Sequence, residues 1–259
     1  MSTAEPGGGQ GNEVRLAGLV SLVIPAHNEA ANLPGVISAA REALALVSEG
    51  FEIVVVDDGS TDTTVATARV AMGDELSLLR IVTHQNKSGY GVTVADGLRA
   101  AQGDWVAFVD GDGQFDPHDL RRLAALAENA DMIAGWRLHR ADPWHRSVVS
   151  HTFNFLVTIL YGVHYRDVDC GFKLMRRSVL DAATPLLARS ALLNTELYFK
   201  CQRSGLRVAQ IGLTHHPRLA GVRSGGRLRP ILRAIGELVR LRIELNRSWS
   251  PPHRSTRTG

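Results

Sequence analysis

The stretch Trp105–Gln114, WVAFVDGDGQ, constrains the fold more than any other part of the sequence. An apolar run ends there in two aspartates, Asp110 and Asp112, with one residue between them. Side chains two residues apart in an extended chain lie on the same side, so both carboxylates can meet just beyond a buried strand. Mg2+ and Mn2+ prefer oxygen ligands of this kind, with phosphate oxygens completing the shell. The stretch therefore predicts a buried strand that ends at a cation and phosphate site.

Three other interpretations of DGDGQFD compete with this one. A calcium loop of the helix-loop-helix type needs Gly at its sixth position and an acidic ligand at its twelfth. Counting from Asp110, those positions hold Phe115 and Arg121, which excludes such a loop. An aspartate-nucleophile phosphatase places its DxD after the first strand, whereas several strand-like segments come earlier here. A polar turn without a metal stays open on this stretch alone.

The composition fits one α/β domain with appendages. The chain has 259 residues, of which 44% are hydrophobic, enough for a sizeable core. Its cysteines, Cys170 and Cys201, form no CxxC pair, so we expect neither a disulfide framework nor a structural zinc site. We expect a reducing, cytoplasmic setting. The N-terminus lacks the features of a signal peptide and predicts a disordered tail over 1–17. The apolar stretch Phe153–Val163 is shorter than the roughly 20 residues that span a bilayer.

The positive charge is concentrated at the C-terminal end. From Arg218 onward the chain carries a net charge of +8, and the preceding residues carry −5, which suggests an anionic partner for this end. Apolar residues recur there at helical spacing, with arginines between them: Ile231, Ile235, Leu238, Leu241 and Leu245. This pattern predicts a basic amphipathic helix over 226–248 that lies in a membrane interface, followed by a flexible tail over 249–259. The same pattern also fits a helix that packs on the domain with its arginines outward.

Strand-like and helix-like segments alternate through the first half of the chain. The expected strands are Leu19–Ile24, Phe51–Val56, Leu78–Thr83, Trp105–Val109 and Asp131–Ala134, with helical patterns between them. This alternation predicts an α/β fold with a Rossmann-like, mostly parallel sheet flanked by helices, in a domain over 18–225 that the family resemblance described below implies to be catalytic. The second half is less regular, with helices expected at Ser147–Tyr161 and Asn194–Arg203 and strands at Cys170–Arg177 and Arg207–Ile211.

Polar clusters follow three of the expected strands directly. They are Pro25–Glu29, Asp57–Ser60 and Asp110–Gln114. Ligands of such sheets bind beyond the carboxyl ends of the strands, so we expect the three clusters to meet at one edge. Three converging clusters favour a binding site over three unrelated polar turns.

Taken together, the motifs resemble those of the inverting GT-A glycosyltransferases of family 2, and among them the dolichyl- or polyprenyl-phosphate mannose synthases. The matching pieces occur in the family's order over roughly 20–223: VIPAHNEAANL, VVVDDGSTDTT, GYGVTVADGLRAAQGDW, DGDGQFDP, GWR at Gly135–Arg137, and DCGFKLMRR. The resemblance implies a GT-A fold and the transfer of a hexose, with mannose first, from a nucleotide-diphosphate sugar to a polyprenyl phosphate. It also implies a Mg2+ or Mn2+ cofactor.

The resemblance assigns roles to individual residues. The nucleotide-sugar site is expected to contain Pro25, His27, Asn28, Glu29, Val56, Asp57, Asp58, Asp110, Gly111, Asp112, Arg137, Lys173 and Arg218. The metal ligands would be Asp110, Asp112 and Gln114, and the acceptor phosphate would meet Arg137, Arg146 and Ser150. From the residues alone, His27 also fits a surface histidine, Asp57 a helix cap, and Arg146 and Arg218 solvated charges.

The acceptor decides whether a catalytic base is needed. A phosphate monoester has a second pKa of about 6 and is largely dianionic at neutral pH, so a polyprenyl phosphate can attack without a base. If the acceptor is an alcohol instead, Asp169 is the candidate base. A soluble family 2 glycosyltransferase acting on a small molecule, glycan or protein is one alternative. A non-catalytic nucleotide-sugar binding protein is the second.

The expected partners follow from the same resemblance. They are a GDP-mannose or UDP-glucose donor, a polyprenyl phosphate, and a membrane surface, with no nucleic acid. Family members often carry C-terminal transmembrane helices, and this sequence encodes none. We therefore expect a peripheral enzyme at the cytoplasmic membrane face, and keep open a membrane-protein partner or a soluble acceptor.

Overall fold

The computed structural model describes residues 14–138, 144–218 and 229–252, and leaves the side chains of 144–151 and 229–235 outside that description. Its strands are β1 (Leu16–Ala26), β2 (Ser48–Asp57), β3 (Leu79–Thr83), β4 (Trp105–Val109), β5 (Met132–Arg137), β6 (Phe172–Arg176) and β7 (Val208–Leu213). Its helices are α1 (Leu33–Val47), α2 (Thr64–Met72), α3 (Tyr90–Ala100), α4 (Leu120–Ala124), α5 (Trp144–Tyr161), α6 (Arg177–Ala183), α7 (Leu193–Arg203) and α8 (Arg229–Ser248). Short 3-10 segments cover Gly73–Leu78 and Pro117–Asp119.

The strands form one sheet in the order β3-β2-β1-β4-β6-β5-β7. Strands β1 to β4 run parallel to one another, and β5 runs parallel to β7. Strand β6 is antiparallel to both of its neighbours. The predicted α/β fold with a mostly parallel sheet is confirmed, and β6 is the exception within it.

The strand order changes direction at β1, because β2 and β3 lie on one side of it and β4 lies on the other. Parallel sheets bind ligands at the carboxyl ends of the strands where such a reversal occurs. The ends of β1 and β4, at Ala26 and Val109, therefore mark where a site is expected.

Helices cover both faces of the sheet, and each face has its own hydrophobic core. Helices α1, α2 and α4 pack on one face, and α3 and α5 to α8 pack on the other. Strand β4 serves both cores, because Ala107 lies on the first side and Phe108 on the second, each fully buried. A strand buried on both faces reads as a continuous apolar run, which explains WVAFV.

Two predicted boundaries are wrong. Strand β1 begins at Leu16, which is buried, so the domain starts inside the tail predicted over 1–17. Trp249 belongs to the domain rather than to a flexible tail over 249–259, because its indole Nε1 donates to the Ala182 carbonyl oxygen (3.0 Å) and its ring lies against Phe199. Residues 1–13, 219–228 and 253–259 lie outside the described residues.

Helix α8 packs on the domain with the face that its sequence makes apolar. Leu238, Leu241 and Leu245 are buried, and the Tyr161 hydroxyl at the end of α5 donates to the Leu238 carbonyl oxygen (2.6 Å). For these leucines the interpretation as a membrane-facing stripe is wrong, because the protein's own core already covers them. The side chains of Ile231 and Ile235 lie outside the described residues. None of the helices described is both long and apolar enough to cross a bilayer.

Candidate active site

A cavity of about 640 Å³ opens at the carboxyl ends of β1, β2 and β4. The DGD turn after β4 packs directly on the end of β1, since the Gly111 amide donates to the Pro25 carbonyl oxygen (3.3 Å). A Cβ at Gly111 would lie 2.8 Å from that oxygen, so the close approach requires glycine. The cavity is lined by Pro25, Ala26, His27, Asn28, Glu29, Asp58, Lys87, Tyr90, Thr93, Asp110, Gly111, Asp112 and Arg218. The three predicted polar clusters therefore meet at one edge of the sheet.

Asp110 and Asp112 both line the cavity, as the DxD spacing predicts. Asp110 accepts a hydrogen bond from the Tyr90 hydroxyl (3.0 Å), and Asp112 accepts one from the backbone amide of Gln114 (3.1 Å). Burial and the charge of Asp112 raise the pKa of Asp110 to about 7, against the lowering effect of Tyr90 and nearby cations. Two adjacent carboxylates with one strongly raised pKa form a centre of negative charge that a cation would stabilise.

The donor set fits a hard divalent cation. Within the described residues there is no group of three or more His, Cys, Asp or Glu side chains arranged to hold a metal ion. Two carboxylates with open coordination beside them are typical of Mg2+ sites that share the ion with substrate phosphates. Gln114, the third predicted ligand, donates its side-chain amide to the His216 carbonyl oxygen (3.1 Å), and its role as a ligand stays a prediction.

The residues after β1 are fixed by contacts with the β2 side of the site. Nδ1 of His27 donates to the Asp58 carbonyl oxygen (2.8 Å). Asn28 accepts from the backbone amide of Thr61 (2.8 Å) and has a φ of 55°. Asparagine adopts this left-handed backbone more readily than most residues, which explains why it stands there. These side chains hold the loop that forms one wall of the cavity.

Asp58 organises the wall that follows β2. Its carboxylate accepts from the backbone amides of Ser88 (2.6 Å) and Gly89 (3.0 Å) and from Nδ1 of His84 (2.9 Å). Burial acts to raise the pKa of Asp58, but these hydrogen bonds outweigh it and hold the pKa below its usual value. Asp58 is therefore a carboxylate in the folded protein, tied to the turn that precedes α3.

Two predicted residues of this wall do not line the cavity. The side chain of Val56 is fully buried beneath α3, where a Cβ on Gly97 would come within 2.8 Å of it. Asp57 is buried and accepts from the backbone amide of Ser60 (3.0 Å), which closes the turn after β2. It caps that turn rather than a helix.

Arg218 brings positive charge to the carboxylates from the segment after β7. Its guanidinium forms an ion pair with Glu29 and lies 3.9 Å from Asp112. Glu29 also accepts from the side-chain amide of Asn32 (2.7 Å). Burial raises the pKa of Glu29, although Asn32 and Arg218 act against it. The cavity thus has a cation at its rim before any ligand enters.

Arg137 and Lys173, both predicted to meet phosphate, are engaged elsewhere. The Arg137 guanidinium forms a two-bond pair with the Asp167 carboxylate, at 2.6 and 2.7 Å. Lys173 is fully buried in β6, and its Nζ donates to the Cys170 carbonyl oxygen (2.5 Å) and to Oδ1 of Asn194 (2.7 Å). Burial lowers the pKa of Lys173 to about 8. The predicted contact between Lys173 and phosphate is not possible in this geometry, because its ammonium group donates to acceptors inside the core.

Three further predicted residues do not line the cavity as the structure describes it. The side chains of Arg146 and Ser150 fall outside the described residues. Asp169 lies in the turn before β6, close enough to Lys173 for its charge to act against the lowering of the lysine pKa by burial. Its role as a base stays a prediction.

The cavity also contains residues that the motifs did not single out: Ala26, Lys87, Tyr90 and Thr93. Lys87 and Tyr90 flank the Ser88-Gly89 turn that binds Asp58. Gly89 and Gly91, on either side of Tyr90, are typical of a tight turn, but the sequence carries no sign that the turn lies against the DxD carboxylates.

Fold and site together define a class of protein. A mostly parallel sheet with a DxD cavity at the switch point is the architecture of GT-A glycosyltransferases, which bind nucleotide-diphosphate sugars. The model of glycosyl transferase family 2 matches residues 21–183, and the chain belongs to that family.

Curated relatives resemble the chain over most of its length. It is 31% identical over 229 residues to a dodecaprenyl-phosphate galacturonate synthase of Rhizobium johnstonii, covering 87% of this chain and 67% of the relative. It is 34% identical over 176 residues to an undecaprenyl-phosphate 4-deoxy-4-formamido-L-arabinose transferase of Aeromonas hydrophila, covering 68% of this chain and 54% of that protein. The chain thus spans between about half and two thirds of the length of these relatives.

The fold of this chain is similar to that of proteins with solved structures. Glucosyl-3-phosphoglycerate synthase from Mycobacterium tuberculosis, in complex with Mn2+, UDP and phosphoglyceric acid, matches with a TM-score of 0.65 at 20% identity, covering 92% of this chain and 80% of that one. The same enzyme with Mn2+, UDP-glucose and phosphoglyceric acid matches with a TM-score of 0.64 at 21% identity, covering 92% and 82%. At this identity the likeness supports the fold alone.

Proposed function

We propose that the protein is an inverting hexosyltransferase that moves a sugar from a nucleotide-diphosphate donor to a polyprenyl phosphate, with Mg2+ or Mn2+ bound at Asp110 and Asp112. The observation that carries the proposal is the cavity in which these two carboxylates meet Asp58 and Arg218 at the switch point of the sheet. The names of both curated relatives specify a polyprenyl-phosphate acceptor.

The residues divide the chemical work between them. A divalent cation bound at the two aspartates would neutralise the diphosphate and make it a better leaving group. Arg218, at the cavity rim, supplies fixed positive charge where negative charge develops on that group. His27 and Asp58 line the part of the cavity where the nucleotide would lie. The dianionic acceptor phosphate attacks the anomeric carbon from the opposite side and needs no base.

The sugar is the least constrained part of the proposal. The resemblance of the motifs puts GDP-mannose first, whereas the names of the relatives contain galacturonate and a formamido-arabinose. The structural neighbours were solved with UDP or UDP-glucose. UDP-linked sugars therefore join GDP-mannose as the donors to test.

A membrane surface is part of the proposal, but on a different face from the buried leucines of α8. Phe155 and Ile159 of α5 are 63% and 62% exposed, and Val239 and Ile243 of α8 are 44% and 46% exposed. Each pair is four residues apart and so shares one side of its helix. Arg240, also on α8, is exposed and forms an ion pair with Glu244 of the same helix (2.9 Å). We propose that this surface contacts anionic lipid at the cytoplasmic face.

A product-partition assay tests the acceptor. The protein is incubated with Mn2+, radiolabelled GDP-mannose, UDP-glucose or UDP-galacturonate, and undecaprenyl phosphate in detergent. The expected result is label that moves into the organic phase with one donor and only when the lipid is present. Free labelled sugar without lipid product, from all three donors, would contradict the proposal.

A soluble acceptor is the second candidate, favoured by the burial of the apolar face of α8 in the domain. Here an acceptor hydroxyl needs a base, and Asp169 takes that role. The same assay with 3-phosphoglycerate in place of the lipid separates the two candidates. A labelled product that stays in the aqueous phase, and that an Asp169→Asn variant no longer forms, would support the second.

A further inference from the structure

Tyr90 stands at the centre of the contacts that reach Asp110 from outside the DxD motif. It is the first residue of α3, its ring lines the cavity, and its hydroxyl donates to Oδ1 of Asp110 (3.0 Å). A hydrogen bond to one carboxylate oxygen limits the rotation of that carboxylate about its Cβ–Cγ bond. Tyr90 therefore bears on how Asp110 is presented to a cation.

The carboxylate of Asp110 is also confined by the backbone just before β6. A Cβ on Gly171 would lie 2.0 Å from Oδ2 and 2.7 Å from Oδ1 of Asp110. Only a residue without a side chain leaves room for the carboxylate there. The carboxylate thus lies against the main chain at Gly171, and its Oδ1 accepts from the Tyr90 hydroxyl.

Tyr90 is itself fixed by the turn that carries it. Gly89 has a φ of 98°, and its amide donates to Asp58 (3.0 Å). A Cβ on Gly91 would lie 2.2 Å from the Ser190 carbonyl oxygen, so α3 starts in direct contact with the segment before α7. The turn is clamped between Asp58 and that segment, which fixes the position of the phenol.

The buried Lys173 joins the two segments that lie against this part of the site. Its Nζ donates to Oδ1 of Asn194 (2.7 Å), near the start of α7, and to the Cys170 carbonyl oxygen (2.5 Å), next to Gly171. The first segment packs against Gly91 and the second against the Asp110 carboxylate. Lys173 therefore holds in place the surroundings of both Tyr90 and Asp110.

We infer that Tyr90 is a positioning residue that holds Asp110 in the orientation that binds the divalent cation, an inference that rests on the proposed function. Groups that orient metal ligands in this way typically contribute 10- to 100-fold to metal affinity. The phenol touches the carboxylate rather than the ion, and its ring also shapes the cavity wall. A Tyr90→Phe variant keeps the ring and removes only the oriented hydrogen bond.

The test is a Mn2+ titration followed by electron paramagnetic resonance, in which bound Mn2+ loses the signal of the free ion. It is made on the full chain with Mn2+ alone, with Mn2+ plus UDP and with Mn2+ plus GDP. We expect Tyr90→Phe to weaken Mn2+ binding about tenfold. The matched control is Tyr161→Phe, which removes a phenol hydrogen bond to the Leu238 carbonyl oxygen far from the cavity and leaves Mn2+ affinity unchanged.

Two results would overturn the inference, and they differ in what else they contradict. Equal Mn2+ affinity in Tyr90→Phe and the unaltered protein would show that the hydroxyl only satisfies a buried group, and would leave the proposed function intact. If the unaltered protein binds no Mn2+ with either UDP or GDP, both the inference and the proposed function fail. Thermal unfolding of both variants separates a loss of affinity from a loss of fold.

Discussion

His84 joins two carboxylates next to the cavity, one at the end of β2 and one in α3. Its Nδ1 donates to Asp58 (2.9 Å) and its Nε2 donates to Asp96 of α3 (3.0 Å). Both ring nitrogens act as donors only in the protonated imidazole. Burial acts to lower the pKa of His84, but the two carboxylates outweigh it and the net effect raises that pKa. The imidazolium thus binds α3 to the end of β2.

The raised pKa of His84 gives stability a definite pH dependence. A group whose pKa is raised on folding contributes its stability below the unfolded pKa, here about 6.5, and loses it as the pH rises through the folded value. We therefore predict that His84→Gln lowers the thermal unfolding temperature more at pH 6 than at pH 8.5. Calorimetry of both proteins across this range measures the difference. A gap that is constant or widens with pH would show that folding does not raise the pKa of His84.

The spacing of the motifs predicts the site residues that directly follow a strand. It does not predict the residues that reach the site from another element. Asp110, Asp112 and Asp58 follow apolar runs, so their place at the sheet edge could be predicted. Tyr90 reaches Asp110 only because α3 lies close against the sheet at Gly97. Lys173 and Arg137 match the family's motifs, yet their partners Asn194 and Asp167 become visible only in three dimensions.

At the scale of elements, helix α8 is part of the second core. Its consecutive residues Leu238 and Val239 differ in exposure to solvent, which is 0% for the leucine and 44% for the valine. Truncating a fully buried leucine typically costs 2–5 kcal/mol, roughly, because it removes apolar contacts and leaves a cavity. Exposed sites usually change stability by less than about 0.5 kcal/mol.

We accordingly predict that Leu238→Ala reduces the free energy of unfolding by about 2–5 kcal/mol and that Val239→Ala changes it by less than about 0.5 kcal/mol. Urea unfolding of the two variants and the unaltered protein provides the measurement. Similar small effects at both positions would mean that α8 does not pack on the domain in solution.

Most strands could be predicted because strands buried on both faces are continuous apolar runs, and β4 matches its prediction residue for residue. The direction of β6 could not, because an apolar run carries no signal for the orientation of its neighbours. The helical pattern after β4 continues in the sequence to about Asn129, but helix α4 ends at Ala124, and hydrogen bonds between residues three apart replace the helical ones at Leu126 and Ala127. The short helix α6 lies directly after β6 and was not anticipated.

At the scale of the whole molecule, exposed apolar side chains lie on both faces of the sheet, and on α5 and α8 they form pairs four residues apart. Phe155 and Ile159 lie on the face covered by α5 and α8, while Val70 of α2, 80% exposed, lies on the opposite face. Apolar groups inserted in a lipid interface add to the attraction of basic residues for anionic headgroups. A membrane contact on the α5 and α8 face should therefore depend on the first pair and not on Val70.

We predict that a Phe155→Ser, Ile159→Ser double variant loses sedimentation with vesicles of phosphatidylglycerol and phosphatidylethanolamine, whereas Val70→Ser keeps it. Binding of the unaltered protein should weaken at high salt, because exposed charges are screened. Equal sedimentation of all three proteins would place the membrane contact elsewhere. No sedimentation of the unaltered protein would favour the soluble acceptor.

The measurement that tests the central claim most directly is donor-dependent transfer of labelled sugar to undecaprenyl phosphate by the unaltered protein and by Asp112→Asn. Asp112 lines the cavity, and losing its charge should remove the cation that holds the diphosphate. We expect a loss of transfer of more than about 100-fold, because removing a metal ligand should cost more than the roughly 10- to 100-fold lost with a group that only orients a ligand. Asp74→Asn, an exposed aspartate in the 3-10 segment before β3, is the charge-matched control and should retain full activity. Undiminished lipid-linked product from Asp112→Asn would contradict the account.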